Sequence, residues 1–389
     1  MSELYQALPR RTRPTNFRGP RGLVDQEIAA TSLANAVARG RVAQAYLFAG
    51  PRGTGKTTAG RVLAMALNCP NRTPDGEPCA TCDTCRRIHT GVGTMDVIEI
   101  DAASNRGVDD AKQLRESAMY APTREGAYKV YIIDEAHMLT REAWNALLKI
   151  LEEPPPRTTF VLATTEPEKI QQTAPAILSR CQRLNFRSIS ADNIAAHLKD
   201  VANQFGIAIT DDAIRLIAQL ARGGMRDALT LLDSVRNLHA NENEPITADD
   251  IRRHAGVPSE ALVIGAIDIL VSGNSDENRG RIFDMNASLD RQGTDPVRFF
   301  DDVQEALITL QALRSGKPYV GPWTANTLQR LRGYAPRLPS EAIARCLVLA
   351  REMRPEVEGA NPARGLFAFM QIAIGIVAET QSAANARAQ

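Results

Sequence analysis

At 389 residues, 44% of them apolar, the sequence is long enough for two or three domains with cores of their own. With 46 Lys and Arg against 45 Asp and Glu, bulk charge neither argues for nucleic acid nor excludes a local basic patch. The most apolar stretch, Leu366 to Ala378, is interrupted by Gln371 and Gly375 and is shorter than the roughly 20 residues of a bilayer crossing, and no apolar segment of the secretory kind follows the N-terminal arginines, so a cytoplasmic, reducing location without a membrane span is expected.

In chain order, the first strong signal is the apolar run Ala45 to Ala49, which reads as a buried strand. It leads directly into Gly50-Pro51-Arg52-Gly53-Thr54-Gly55-Lys56-Thr57, a complete G-x-x-x-x-G-K-T phosphate loop, with Thr58 next in the following helix. The glycines let backbone N–H groups close around a β-phosphate. Lys56 brings a point charge to the β- and γ-phosphates, and Thr57 offers a hydroxyl to Mg²⁺. ATP and Mg²⁺ are therefore the expected ligands.

Cys69, Cys79, Cys82 and Cys85 follow as C-x9-C-x2-C-x2-C, inserted before a strand at Val97 to Ile100. Four thiolates at this spacing close a tetrahedral Zn²⁺ site with no open position, so the metal would be structural. Disulfides are the alternative, disfavoured in a reducing compartment, and His89 is a competing ligand. Cys181 and Cys346 stand apart and read as small buried hydrophobes. Further on, Ser104 to Gly107 precede a helix from Val108. Its N-terminus, with Asn105, Arg106 and Lys112, offers DNA phosphate contacts, although Asp109 and Asp110 dilute the charge and a plain solvated face fits equally well. Any such binding would be salt-dependent and without sequence preference.

The strand Lys129 to Ile133 ends in Asp134-Glu135. An acid at that tip, beside Thr57, holds Mg²⁺ through its water shell, and Glu135 is then positioned to orient or deprotonate an attacking water. Asp134-Glu135-Ala136-His137 also matches the D-E-A-H box of one helicase class. That rival requires a second α/β core of about 150 residues, whereas the rest of the sequence reads as helical. A helix from Thr140 to Glu153 must stop at Pro154-Pro155-Pro156. Thr159 to Ala163 and Gln182 to Phe186 complete five strands, which imply a parallel α/β sheet binding its ligand outside the carboxyl ends.

After Arg187 the pattern is helical, with Ser190, Thr210 and Thr247 as N-caps and Asp250 completing a capping box with Thr247. These signals divide the chain into an ATPase domain at 1–189 carrying the cysteine module at about 69–88, a helical lid at 190–256, an all-helical domain at 257–381 and a frayed tail at 382–389. Breaks in the third domain are expected at Ser272-Gly273-Asn274, Gly316-Lys317-Pro318 and Ala335-Pro336.

The phosphate loop, the four-cysteine insertion, D-E-A-H, Leu162-Ala163-Thr164-Thr165-Glu166-Pro167, Ser179-Arg180-Cys181 and Gly224-Met225-Arg226-Asp227, in this order, resemble the gamma/tau subunits of bacterial DNA polymerase III clamp loaders, an AAA+ family. The resemblance implies a subunit of a hetero-oligomer that uses ATP to open a sliding clamp and load it on primer-template DNA, with the helical third domain as an oligomerisation collar. The sequence does not say whether Gln389 is the natural end, and the polymerase core becomes a further partner only if a longer C-terminal extension follows. By the same resemblance Thr165 is sensor 1, Arg226 is sensor 2 reaching from the lid, and Arg180 is an arginine finger offered to a neighbour's ATP. Tyr5, Arg13-Pro14 and Phe17 fit the segment that flanks the adenine. The chain departs from the family pattern by about three extra residues at Gly19 to Gly22 and again at Gln171 to Pro175. An AAA+ helicase or translocase remains the alternative function.

Overall fold

The computed structural model describes residues 6–91, 94–238, 244–256, 258–291, 293–317 and 323–388. The chain divides into two compact units, Met1–Pro245 and Ile246–Gln389.

The first unit is built on five parallel strands, β1 Ala45–Ala49, β2 Val97–Asp101, β3 Lys129–Asp134, β4 Thr158–Thr164 and β5 Gln182–Asn185, in the order β2-β3-β4-β1-β5. Every residue of β1 and β4 is buried, as the unbroken apolar runs of a sheet covered on both faces require. Side chains alternate between two cores. Tyr46, Phe48, Val130 and Ile132 meet helix Lys56–Asn68 on one face, while Leu47, Tyr131, Ile133 and Phe160 meet Trp144 and Leu147 of helix Arg141–Glu152 on the other. Each large apolar side chain buried this way contributes about 1.5–3 kcal/mol. Register pairs Ala49 with Thr164 and Asp101 with Asp134, which aligns the tips of four strands along one edge.

Helix Arg141–Glu152 starts where Thr140 Oγ1 accepts from Ala143 N at 3.2 Å and ends just before the proline triplet. The chain then leaves β5 under tight control. The buried Gln26 side chain donates to Arg187 O at 2.8 Å and accepts from Arg187 N at 3.0 Å, and Asp25 accepts from Ser190 N at 2.7 Å. Three lid helices follow, Ala191–Phe205, Asp211–Leu220 and Met225–Leu238. Ser190 and Thr210 cap the first two through their hydroxyls.

Every named element of the second unit among its described residues is a helix. Its first helix, Ala248–Ala255, carries the Thr247–Asp250 capping box. Sequence reading extends the lid to 256, but the division falls between Pro245 and Ile246, and Gly256 O accepts from Asp295 N within the second unit. The expected breaks at Ser272 to Asn274 and at Ala335-Pro336 are helix boundaries, while Pro318 lies outside the described residues. The last helix, Pro362–Ala388, runs through the stretch expected to fray. Residues Pro362–Ala384 are long and apolar enough to cross a membrane by length and composition, more than the 366–378 run suggests. Leu366, Phe369, Met370, Ile374 and Val377 are nevertheless packed into this unit's core, the position of a core helix.

Candidate nucleotide site and metal centre

The turn after β1 leaves no room for a side chain at Gly50 and little at Gly53. At Gly50 (φ +156°) an added Cβ would fall 2.3 Å from Phe186 O, and at Gly53 (φ +76°) it would fall 3.0 Å from Gly224 Cα in the lid. The loop is therefore wedged between the exit of β5 and the first turn of helix Met225–Leu238. Lys56 opens the next helix and is 6% exposed. Its Nζ donates to Gly50 O at 2.8 Å and Pro51 O at 2.7 Å, which holds the ammonium inside the curve of the loop. Burial pushes its pKa below the ordinary lysine value, and the charges of Glu135 and Asp134 oppose that push.

One residue on, Thr57 Oγ1 donates to Asp134 Oδ2 at 2.7 Å, joining the phosphate loop to the tip of β3 across the intervening β4. Glu135 takes a left-handed conformation (φ +47°), a backbone cost of about 1–3 kcal/mol that redirects its side chain away from the strand. Its Oε2 accepts from Thr165 Oγ1 at 3.1 Å and lies 3.4 Å from His137 Nδ1. His137, almost fully buried, also contacts Thr164 Oγ1 at 3.1 Å and, through Nε2, Glu166 Oε1 at 3.2 Å. The histidine of the D-E-A-H string is thus clasped between two carboxylates at the sheet edge.

Lys56, Thr57, Asp134 and Glu135 face a cavity of about 760 Å³, within the range of small-molecule sites. Arg52, Gly53 to Thr58, Asp134 and Glu135 line its floor, with Arg13 from the N-terminal segment and Arg226 from the lid on its walls. Gly50 and Pro51 lie beneath the floor, where they accept from Lys56. Thr165 reaches the site through Glu135. Burial, reinforced by Arg61, lowers the Arg13 pKa to about 10, so that side chain remains cationic at neutral pH. Arg180 does not join the cavity. It lies after the short helices Pro167–Thr173 and Pro175–Leu178, whose junction falls within residues 171–175, and its Nη2 pairs with Glu152 Oε1 at 2.5 Å. At the other departure, Gly22 N donates to Gly19 O and Leu23 N to Phe17 O. This turn returns the chain so that Leu23 and Val24 line the cavity. Tyr5 lies outside the described residues.

Cys69, Cys79, Cys82 and Cys85 present their sulfurs within 4.8 Å of one another, and the sulfurs of Cys69 and Cys82 are 4.0 Å apart. A tetrahedron with Zn–S of about 2.3 Å has edges of about 3.8 Å, so the set fits that ion. Backbone N–H groups of Cys79, Cys82 and Cys85 donate to the sulfurs of Cys69, Cys79 and Cys82 at 3.3–3.4 Å, a pattern that favours thiolates. Such donors bring the Cys79 thiol down to about 6, while burial pushes Cys85 up. His89 is not part of this cluster. Cys346 is buried and Cys181 half-buried, and burial raises both thiols, to about 11 and about 12.

The suggested DNA face is exposed but partly self-satisfied. Asn105 Nδ2 donates to Asp101 O at 3.1 Å, Lys112 pairs with Asp109 at 3.1 Å, and Arg106 is exposed beside them. Sequence reading missed Arg10, Arg61, Leu23 and Val24 as cavity residues. Arg61 was within reach, since it stands one helical turn after Thr57 and so shares its face. The others arrive through tertiary folding of the N-terminal segment and carry no local motif.

A phosphate loop at the carboxyl edge of this five-stranded sheet, an acidic pair at the tip of β3 and a helical lid above them define an AAA+ ATPase domain. Residues 25–190 match the family model described as DNA polymerase III, delta subunit, and residues 193–235 the one described as DNA polymerase III clamp loader subunit, ATPase lid domain. The tau subunit of DNA polymerase III from Bacillus subtilis strain 168 is 36% identical over 98% of this chain and 65% of its own length. The Escherichia coli K12 tau subunit is 40% identical over 70% of this chain and 40% of its own. The chain belongs to the gamma/tau family of DNA polymerase III clamp-loader subunits. It spans 65% or less of the length of these relatives. Among solved structures, the Thermotoga maritima RuvB Holliday junction branch migration motor aligns with a TM-score of 0.46 at 22% identity, over 67% of this chain and 78% of that one.

Proposed function

We propose that this chain is the ATP-hydrolysing motor of a clamp loader, spending ATP to open a sliding clamp and load it on primer-template DNA. The observation that carries the reading is the Thr57–Asp134 contact at 2.7 Å, set beside Glu135 and within one cavity with Lys56 and Arg226. Lys56 and the loop amides bind the β- and γ-phosphates, and Arg226 on the lid engages the γ-phosphate. Mg²⁺, when bound, neutralises phosphate charge, and Thr57 and Asp134 are the residues that would hold it. Glu135 takes a proton from the attacking water, with Thr165 and His137 holding its carboxylate in position. Arg13 flanks the base.

Its partners are other subunits of the loader, the clamp and DNA. Arg106, Asn105 and Lys112 contact the DNA backbone. All of this belongs to the cytoplasm. The helicase reading is not favoured, because the relatives at 36–40% identity carry DNA polymerase III names and no second α/β core occurs among the described residues. ATPase measurements with reconstituted loader subunits test the proposal. Stimulation by primed DNA and clamp together is expected, and ATP-dependent strand displacement by this chain alone would overturn it.

Arg180 acts in trans on a neighbour's nucleotide. In the assembled complex Arg180→Ala should leave ATP binding within a few-fold of wild type and lower hydrolysis by about 10³-fold or more. A wild-type rate in that complex would remove the assignment. The four thiolates hold structural Zn²⁺. Metal analysis should find one zinc per chain, lost on dialysis against a strong chelator at acid pH as the thiolates protonate. Well-folded protein without metal would contradict the structural role.

A further inference from the structure

The cysteine module and the nucleotide cavity share a wall. Helix Asp83–Thr90 starts at Cys82, so two of the four sulfurs sit at its first turn, and its far end delivers Thr90 and Gly91 to the cavity lining. The last carbonyls of a helix lack intrahelical donors. Here they take guanidinium groups instead: Arg10 Nη2 donates to Thr90 O at 3.0 Å and Arg61 Nη1 to His89 O at 3.2 Å. Arg61 belongs to the phosphate-loop helix, and its remaining nitrogens form a paired bridge to Glu99 of β2 at 2.6 and 2.7 Å. One arginine thus ties the module to the floor of the site.

The module's other flank ties it to the N-terminal wall. Glu77, 9% exposed, accepts from Phe17 N at 2.7 Å, Arg18 N at 3.2 Å and Arg18 Nε at 3.0 Å, and Asn16 Nδ2 donates to Pro78 O at 3.2 Å. Arg13 and Pro14 of the same segment line the cavity. The two anchors, at 77–78 and at 89–90, lie on either side of Cys79, Cys82 and Cys85, and the stretch between them contains one helix of eight residues. A helix that short does not hold its shape unaided. Cross-linking the four sulfurs fixes one anchor relative to the other.

We infer that the cysteine module positions the nucleotide-binding wall, so that metal held at Cys69, Cys79, Cys82 and Cys85 and nucleotide held in the cavity stabilise each other through Glu77 on one side and Arg10 and Arg61 on the other. The inference rests on the cavity being the nucleotide site. Linkage makes it reciprocal: whatever factor metal adds to nucleotide affinity, nucleotide adds to metal retention.

The test uses the full chain with zinc bound. Its Kd for a fluorescent ATP analogue should rise about tenfold when zinc is removed, a coupling typical of linked sites. In the reverse direction, the equilibrium release of zinc to a chromogenic chelator, at fixed free Mg²⁺, should be suppressed about tenfold by saturating nucleotide. Glu77→Gln lies outside the cavity. It should keep one zinc per chain yet weaken nucleotide binding several-fold. If the zinc-loaded protein binds no nucleotide, the reading of the cavity is wrong. If it binds nucleotide equally well with and without metal, and nucleotide leaves zinc release unchanged, the coupling is wrong. Should zinc removal unfold the chain, as lost far-ultraviolet dichroism would reveal, the release measurement on loaded protein decides alone.

Discussion

Replacing Lys56 with alanine is expected to raise the Kd for ATP by about a hundredfold or more and to leave the fold intact. Lys56 is 6% exposed and its ammonium bonds to Gly50 O and Pro51 O of its own loop, so its loss removes the charge that meets the phosphates without breaking a contact between distant elements. Truncating one partner of a buried, hydrogen-bonded charge pair costs about 2–5 kcal/mol, and every 1.4 kcal/mol is about tenfold in affinity. Calorimetric titration with ATP and Mg²⁺, checked by far-ultraviolet dichroism, reads the effect. A Kd within a few-fold of wild type would show that the phosphates bind elsewhere.

Glu135→Gln should behave differently, with binding kept and turnover lost. Glutamine preserves size and still offers an oxygen to Thr165 Oγ1, which lies 3.1 Å from the carboxylate, but it cannot accept a proton from water. General-base catalysis is worth about 10²–10⁴ in rate, so single-turnover phosphate release should slow by that factor while Kd stays within a few-fold. Equal loss of binding in the Lys56 and Glu135 variants would contradict the division of labour between them.

Much of the ATPase domain was legible because its signals are local. The strand at Ala45 to Ala49 has the predicted bounds, β3 runs one residue further at its end and β4 one residue further at each end, the ordinary uncertainty of strand limits. Thr140 and the proline triplet bracket their helix because capping and a missing N–H act within a few residues. The four sulfurs converge as their spacing implies. What sequence could not convey is the order of the strands, β2-β3-β4-β1-β5; the approach of Asp134 to Thr57 across 77 residues it did anticipate, from the phosphate loop and the acidic strand tip taken together. Nor could it convey the left-handed turn at Glu135, since nothing about glutamate favours φ +47° and the surrounding contacts must impose it. The division at Pro245 and Ile246 falls inside the stretch that sequence reading assigns to the lid, because Thr247 and Asp250 announce a helix but a cap says nothing about which core that helix will join.

The ion pair between Arg180 and Glu152 sets a threshold on how that arginine can be recruited. With its guanidinium already 2.5 Å from a carboxylate on the same chain, any outside anion has to displace a resident competitor. A glancing encounter leaves the side chain parked, and only an anion held against it at high effective concentration wins the exchange. On the proposed role of Arg180 in trans, Glu152, which belongs to no recognisable motif, would act in this sense as a filter against accidental engagement.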